Sequence, residues 1–347
     1  MIDFRYHLVS IVAIFLALTV GVVLGTAALN GPLTAGLRKS VATLRHEYDN
    51  LQAKNQSQRQ QIQSDQQFAQ VAGPVLLSHL LTGQRVVLVA APGAPSQVTD
   101  PVSQALTQAG AKITGRVDVQ PKFFDTSSST GATLGLLTQQ LTPVGTTLRS
   151  GTKQAQAGQL IASAILTRDG LGQPAVGSQD SAGAAILSQF VSGGFLSVSA
   201  PSIPRATLAV VIVPASPPTT NDSNPASQAL AAVSQQLSLA GQATVVAGSV
   251  AGSGPGSAIQ VIRAGSQQAR LSTVDNADTT SGQIVVAQAL YELLAKGKPG
   301  SYGTGSGASA PGPSPAPTPS PSASAAGVTA TQRTVRPSAT ASASSHR

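Results

Sequence analysis

Two carboxylates, Asp275 and Asp278 in "TVDNADTTSG", have the types and position that could do chemistry. They stand between an apolar strand pattern and a helix start, at a strand's carboxyl end, where α/β enzymes place acid–base groups. Asp and Asn are also ordinary turn and cap residues, and an acid near a helix N-terminus is favoured by the helix dipole. That structural role is the one expected here, with an acid pair as the competing reading.

Other constellations are thin. The histidines His7, His46, His79 and His346 are far apart in sequence, and the one methionine is Met1. With no cysteine, neither a disulfide framework nor a thiolate metal site can form. Soft metals such as copper favour Cys, Met or clustered His, and no such set is visible within one chain. The first strand-to-helix turn, "AAPGAPSQ", lacks the G-x-G-x-x-G and G-x-x-x-x-G-K-[ST] phosphate loops. Gly303-Thr304-Gly305 is read as part of a tail, following no strand. No G-x-S-x-G elbow occurs. The residues therefore nominate no catalytic site and no cofactor, and a non-enzymatic protein is expected.

The elements that would position such groups fall into four segments, 1–30, 33–72, 83–302 and 303–347. In the first, Leu8 to Leu29 carry no charge, enough at ~1.5 Å per residue to cross a ~30 Å hydrocarbon core. The run exceeds the roughly 7–15 residues of a signal-peptide core, so an uncleaved membrane anchor is expected. Ala13, Ala17, Gly21 and Gly25 recur every fourth residue, the small-residue stripe that lets membrane helices pack closely. Basic residues flank both ends and do not choose an orientation. The short N-terminus is taken as inside and the remainder as extracytoplasmic, on a single-pass protein of the cytoplasmic membrane.

After Gly31-Pro32, a heptad seam follows in 33–72. Leu37, Leu44, Leu51 and Gln58 fall at d, and Val41, Tyr48, Asn55 and Ile62 at a. Asn55 at a suits register fixing in a parallel two-stranded coil. Lys54 at g facing Arg59 at e works against it. A homodimer with a coiled-coil stalk is the expectation, since a dimerising anchor and a coil raise each other's effective concentration.

Segment 83–302 reads as alternating strands and helices. "QRVVLVAAP", "AKITGRVDV", "ATLAVVIVPA", "ATVVAGSV", "SAIQVIRAG" and "ARLSTVDN" are expected strands. Asp100-Pro101 is expected to open a helix closed by Gly110, and Thr280 with Gln283 to form a capping box before a helix ended by Gly297. This pattern predicts a mostly parallel, three-layer α/β domain. Segment 303–347 is rich in Pro, Ser, Ala, Thr and Gly, and a disordered tail is expected. Charged residues are 10%, aromatics 3%, and the net charge is +8 without a basic run. No nucleic-acid partner follows from that pattern; attraction to anionic lipid or wall polymer fits it better.

"DFRYHLVSIVAIFLALTVGVVLGT" resembles the opening of the actinobacterial copper transport family known as MctB, and "STVDNADTTSGQIVVAQALYELLAKGKPGSYG" resembles its C-terminal signature. The resemblance implies copper homeostasis, with copper as a possible ligand, and older descriptions imply an outer-membrane channel. A SteB-like branch implies instead a scaffold in envelope assembly and division, with a membrane protein partner. A barrel channel needs alternating strands and aromatic girdles, which this sequence does not offer.

Overall fold

The computed structural model describes residues 4–29, 32–143, 145, 147–168, 175–178, 180–215, 224–265 and 270–314. The chain divides into two units, Met1–Val71 and Ala72–Arg347.

In the first unit, helix α1 spans Phe4–Leu29, and α2 begins at Pro32 and runs to Leu77, ending in the second unit. Arg5–Thr26 of α1 is long and apolar enough to cross a membrane, with a mean hydropathy of 2.7. Its apolar side chains are exposed all round, as lipid contact requires. A Cβ placed at Gly21 or Gly25 would meet nothing within 4 Å, so that face is open. On α2 the seam residues Leu37, Val41, Leu44, Tyr48, Leu51 and Ile62 are likewise exposed.

In the second unit, seven strands form one sheet in the order β3-β2-β1-β4-β5-β6-β7. They are β1 Arg85–Ala90, β2 Lys112–Val119, β3 Leu196–Val198, β4 Leu208–Ile212, β5 Ala243–Ala247, β6 Leu271–Val274 and β7 Ser301–Tyr302. All pairings are parallel except the β2–β3 edge. The helices between them are α3 Ser96–Gln108, α4 Ser128–Leu141, α5 Lys153–Ile165, α6 Ser181–Ser192, α7 Pro225–Ala240, α8 Ala258–Ala264 and α9 Thr280–Lys296.

Strands β4 and β5 are buried at every position. Runs such as "LAVVI" alternate their side chains between two covered faces, which is why they read as continuous apolar stretches. One face carries Val87, Val89, Val117, Ala209, Val211 and Val246 into a core with α5, α6 and α7. Helices α3 and α9 pack on each other, and α9 lies against β5 and β6.

The structure corrects several expectations. "SAIQVIRAG" is not a strand. Ser257 accepts a hydrogen bond from the Gln260 amide at 3.2 Å and caps α8. Helix α3 begins at Ser96, so Pro101 lies inside it and Asp100 is not its cap. The cap of α9 is Thr279, whose hydroxyl accepts from the Gly282 amide, and Gln283 instead reaches back to the Ala277 carbonyl. Gly110 and Gly297 do close their helices with positive φ. Helix α4 and the edge strands β3 and β7 were not anticipated. Residues 303–314, expected in the tail, are bonded to the domain: the Thr304 amide donates to Asp275 Oδ1 and the Ser309 amide to the Ser301 carbonyl, and Pro313 is buried. The remaining tail, 315–347, lies outside the described residues.

Candidate functional site

The Asp275 and Asp278 turn lies at the carboxyl end of β6, before α9, as the sequence suggested. The two acids do not form a pair there. The Asp275 carboxylate is fully buried and its hydrogen-bonding capacity is filled. It accepts from Arg263 Nη1 at 2.7 Å, from the Thr304 amide at 2.8 Å and from the Gly305 amide at 3.0 Å.

Arg263, on α8, has a side chain only 3% exposed. It also donates to Thr273 Oγ1 at 2.9 Å, the Ser306 carbonyl at 2.8 Å and the Tyr302 carbonyl at 2.9 Å. A carboxylate so enclosed has no open face toward a substrate. It ties α8, β6 and the segment after β7 together.

Gly303 and Gly305 are required by this arrangement. Gly303 has φ 125°, and a Cβ at either position would collide with the Asp275 carboxylate or with Ser253. The Gly-Thr-Gly stretch thus follows a strand, contrary to expectation, and its amides bind a carboxylate of the same chain. Next to it, the Tyr302 hydroxyl donates to Glu292 Oε2 inside the domain. Burial, and then that hydrogen bond and the Glu292 charge, push the Tyr302 phenol far above its ordinary value.

Asp278 is exposed. Partial desolvation raises its pKa, with the Asp275 charge adding to the rise. The acids share a turn, but only Asp278 reaches solvent.

Strand order reveals a place that sequence reasoning missed. The chain reverses direction across the sheet between β1 and β4, and α/β folds bind ligands at such a switch point. A pocket of about 100 Å³ lies there, walled by Ala91, Pro92, Phe124, Pro214, Ser227 and Leu230. It is small and mostly apolar. The helix after β1 begins at Ser96 behind Pro95, without a side-chain cap. No phosphate cradle is built at that turn, in keeping with the "AAPGAPSQ" sequence.

The described histidines stand on separate elements. His7 is on α1, His46 on α2, and His79 stands after α2 with φ 61°; His346 lies outside the described residues. Among the described residues, no group of three or more His, Cys, Asp or Glu could hold a metal ion.

Comparison with known proteins adds what this geometry does not. A family model described as "Copper transport outer membrane protein, MctB" matches residues 1–313. The chain is 29% identical over 308 residues to the copper transporter MctB of Mycobacterium tuberculosis and to that of Mycobacterium bovis, covering 88% of this chain and 97% of each relative. It is 29% identical over 312 residues to the Mycobacterium leprae protein of the same name, with the same coverage.

Proposed function

We infer the role of this chain from its kinship: it belongs to the MctB family of copper transport outer membrane proteins. On that premise it serves copper transport in the cell envelope, held to a membrane by α1. One observation carries the reading. The family match runs from residue 1 to 313, so the apolar anchor and the whole α/β domain belong to it together.

The chain's own chemistry limits its part. Copper in its reduced form favours thiolate and thioether ligands, and the sequence has no cysteine and a single methionine. We read copper as cargo handled together with a second copy or a protein partner. The chain itself acts as a non-enzymatic binding or scaffold module on the extracytoplasmic side of the cytoplasmic membrane. The small-residue face of α1 and the exposed seam on α2 support a homodimer.

The test is cellular copper content in a strain lacking the gene, in the same strain carrying the full chain, and in one carrying the chain without residues 1–31. Deletion is expected to change copper content and only the full chain to restore it. Equal copper in all strains would overturn the reading.

The scarcity of soft ligands favours one alternative, a scaffold for envelope assembly or division without a copper role. It predicts unchanged copper content and altered cell shape or septation in the same strains.

A further inference from the structure

At the amino ends of the central strands, opposite the switch-point pocket, lies a polar cleft of about 350 Å³. Arg168, Gln242, Arg270 and Gly297 line it with Leu293 and Leu294. Its volume is within the ~300–1,000 Å³ of small-molecule sites. Four chain segments build it. Arg168 follows Leu166, which bridges to Ala206 ahead of β4; Gln242 precedes β5, Arg270 precedes β6, and Gly297 ends α9.

Arg168 is held in place by the end of α7. Its Nη2 donates to the Leu239 carbonyl at 2.7 Å and the Gly241 carbonyl at 3.0 Å, and its Nε to Gly241 at 3.2 Å. A cation at a helix C-terminus is favourable there. Burial lowers its pKa, and the charges of Arg270 and Arg149 lower it further. Two guanidiniums of like charge, Arg168 and Arg270, thus line one cleft. Among the described residues, no ion pair includes Arg168, Arg270 or Arg149. Arg168 Nη1 and the whole Arg270 guanidinium have no hydrogen-bond acceptor among the described residues, while Arg149 Nη1 bonds Gln236 Oε1 at 3.3 Å. Asp169, next in sequence, lies outside the described residues.

We propose that this cleft binds a phosphate-type oxyanion, with Arg270 as the principal ligand and Arg168 as a fixed second donor. The planar guanidinium fork matches two phosphate oxygens at once. An anion between the arginines would also relieve their mutual repulsion. The same chemistry is offered by free phosphate and by the headgroup of a phosphorylated lipid.

Full-length protein in a neutral detergent is titrated with inorganic phosphate at constant ionic strength, and binding is followed by calorimetry and thermal shift. Binding is expected, weakened at least tenfold in Arg270→Gln, with the anion-free melting temperature little changed because the Arg270 side chain makes no hydrogen bond or ion pair among the described residues. Arg270→Lys, which keeps the charge but loses the fork, falls between the two. A parallel titration with short-chain phosphatidic acid identifies the source: tighter binding than phosphate assigns a lipid headgroup, equal binding a free anion. Absence of binding for both probes, or equal binding by wild type and Arg270→Gln, would overturn the proposal.

Discussion

Arg263 Nη1 and Asp275 Oδ2 meet at 2.7 Å with both side chains out of solvent, joining α8 to the turn between β6 and α9. Removing one partner of such a pair leaves a buried charge behind, which costs about 3–5 kcal/mol. Asp275→Asn is expected to destabilise the protein by that order in denaturant unfolding. The amides of Thr304 and Gly305 should lose their protection from hydrogen exchange with it. Replacing both partners, as Arg263→Leu with Asp275→Asn, should cost less than the sum of the single changes, since neither leaves a lone charge. A sum that is simply additive would mean that the pair is not coupled.

The neighbouring Tyr302 and Glu292 lock makes a separate prediction. The folded phenol titrates above its unfolded value of 10.0, because burial and the Glu292 contact disfavour the phenolate. A group raised in this way contributes stability that is fully present below pH 10 and lost as pH rises beyond it. Tyrosinate absorbance should therefore show one of the four tyrosines ionising late, together with unfolding. Tyr302→Phe should remove that component and cost about 1–3 kcal/mol through the buried carboxylate left without its donor.

Acid should attack elsewhere. Asp180 caps α6 by accepting from the Ala182 amide at 3.0 Å and meets Arg205 Nη2 at 2.5 Å. The Arg205 hydrogen bond holds its carboxyl below the ordinary 3.8. A depressed carboxylate contributes stability that is present above 3.8 and lost as pH falls through its folded value. Asp180→Asn should flatten the acid limb of the stability curve, read as melting temperature against pH. Asp180→Ala should also lose the cap, for a total of about 3 kcal/mol at neutral pH.

These locks show where the sequence could be read and where it could not. The strands β1, β4 and β5 were legible because burial on both faces makes them continuous apolar runs. Helix α1 was legible because lipid selects length and uniform hydropathy. Helix α8 was not, since at seven residues it is too short for periodicity to separate helix from strand. The fate of Asp275 was hidden for another reason. Its partners are an arginine twelve residues earlier and two amides about thirty residues later, in a stretch whose composition resembles a tail. The signal available was the spacing Gly303, Gly305, Gly307, which leaves backbone amides free to approach a carboxylate. The arginine cleft was invisible because Arg168 and Arg270 are about a hundred residues apart and meet only through strand order.

The dimer proposal makes the last prediction, and the absence of native cysteine makes it clean. A disulfide needs Cβ atoms about 3.5–4.5 Å apart. In a parallel two-stranded coil only the seam positions approach so closely, and the outer positions stay well apart. Leu44→Cys and Leu51→Cys, both at d and both exposed on α2, should therefore cross-link full-length protein in membranes under mild oxidation. His46→Cys, at the outer f position of the same turn, should not. Adding Gly21→Leu and Gly25→Leu should lower the Leu44→Cys yield, because two bulky residues on the small face of α1 would hold paired anchors apart. If all three cysteine variants cross-link equally, the contacts are collisions and the seam does not pair. If none does, α2 stands alone or meets another protein. If Leu44→Cys and Leu51→Cys cross-link while the glycine changes have no effect, the stalk pairs on its own and the small stripe of α1 serves some other contact.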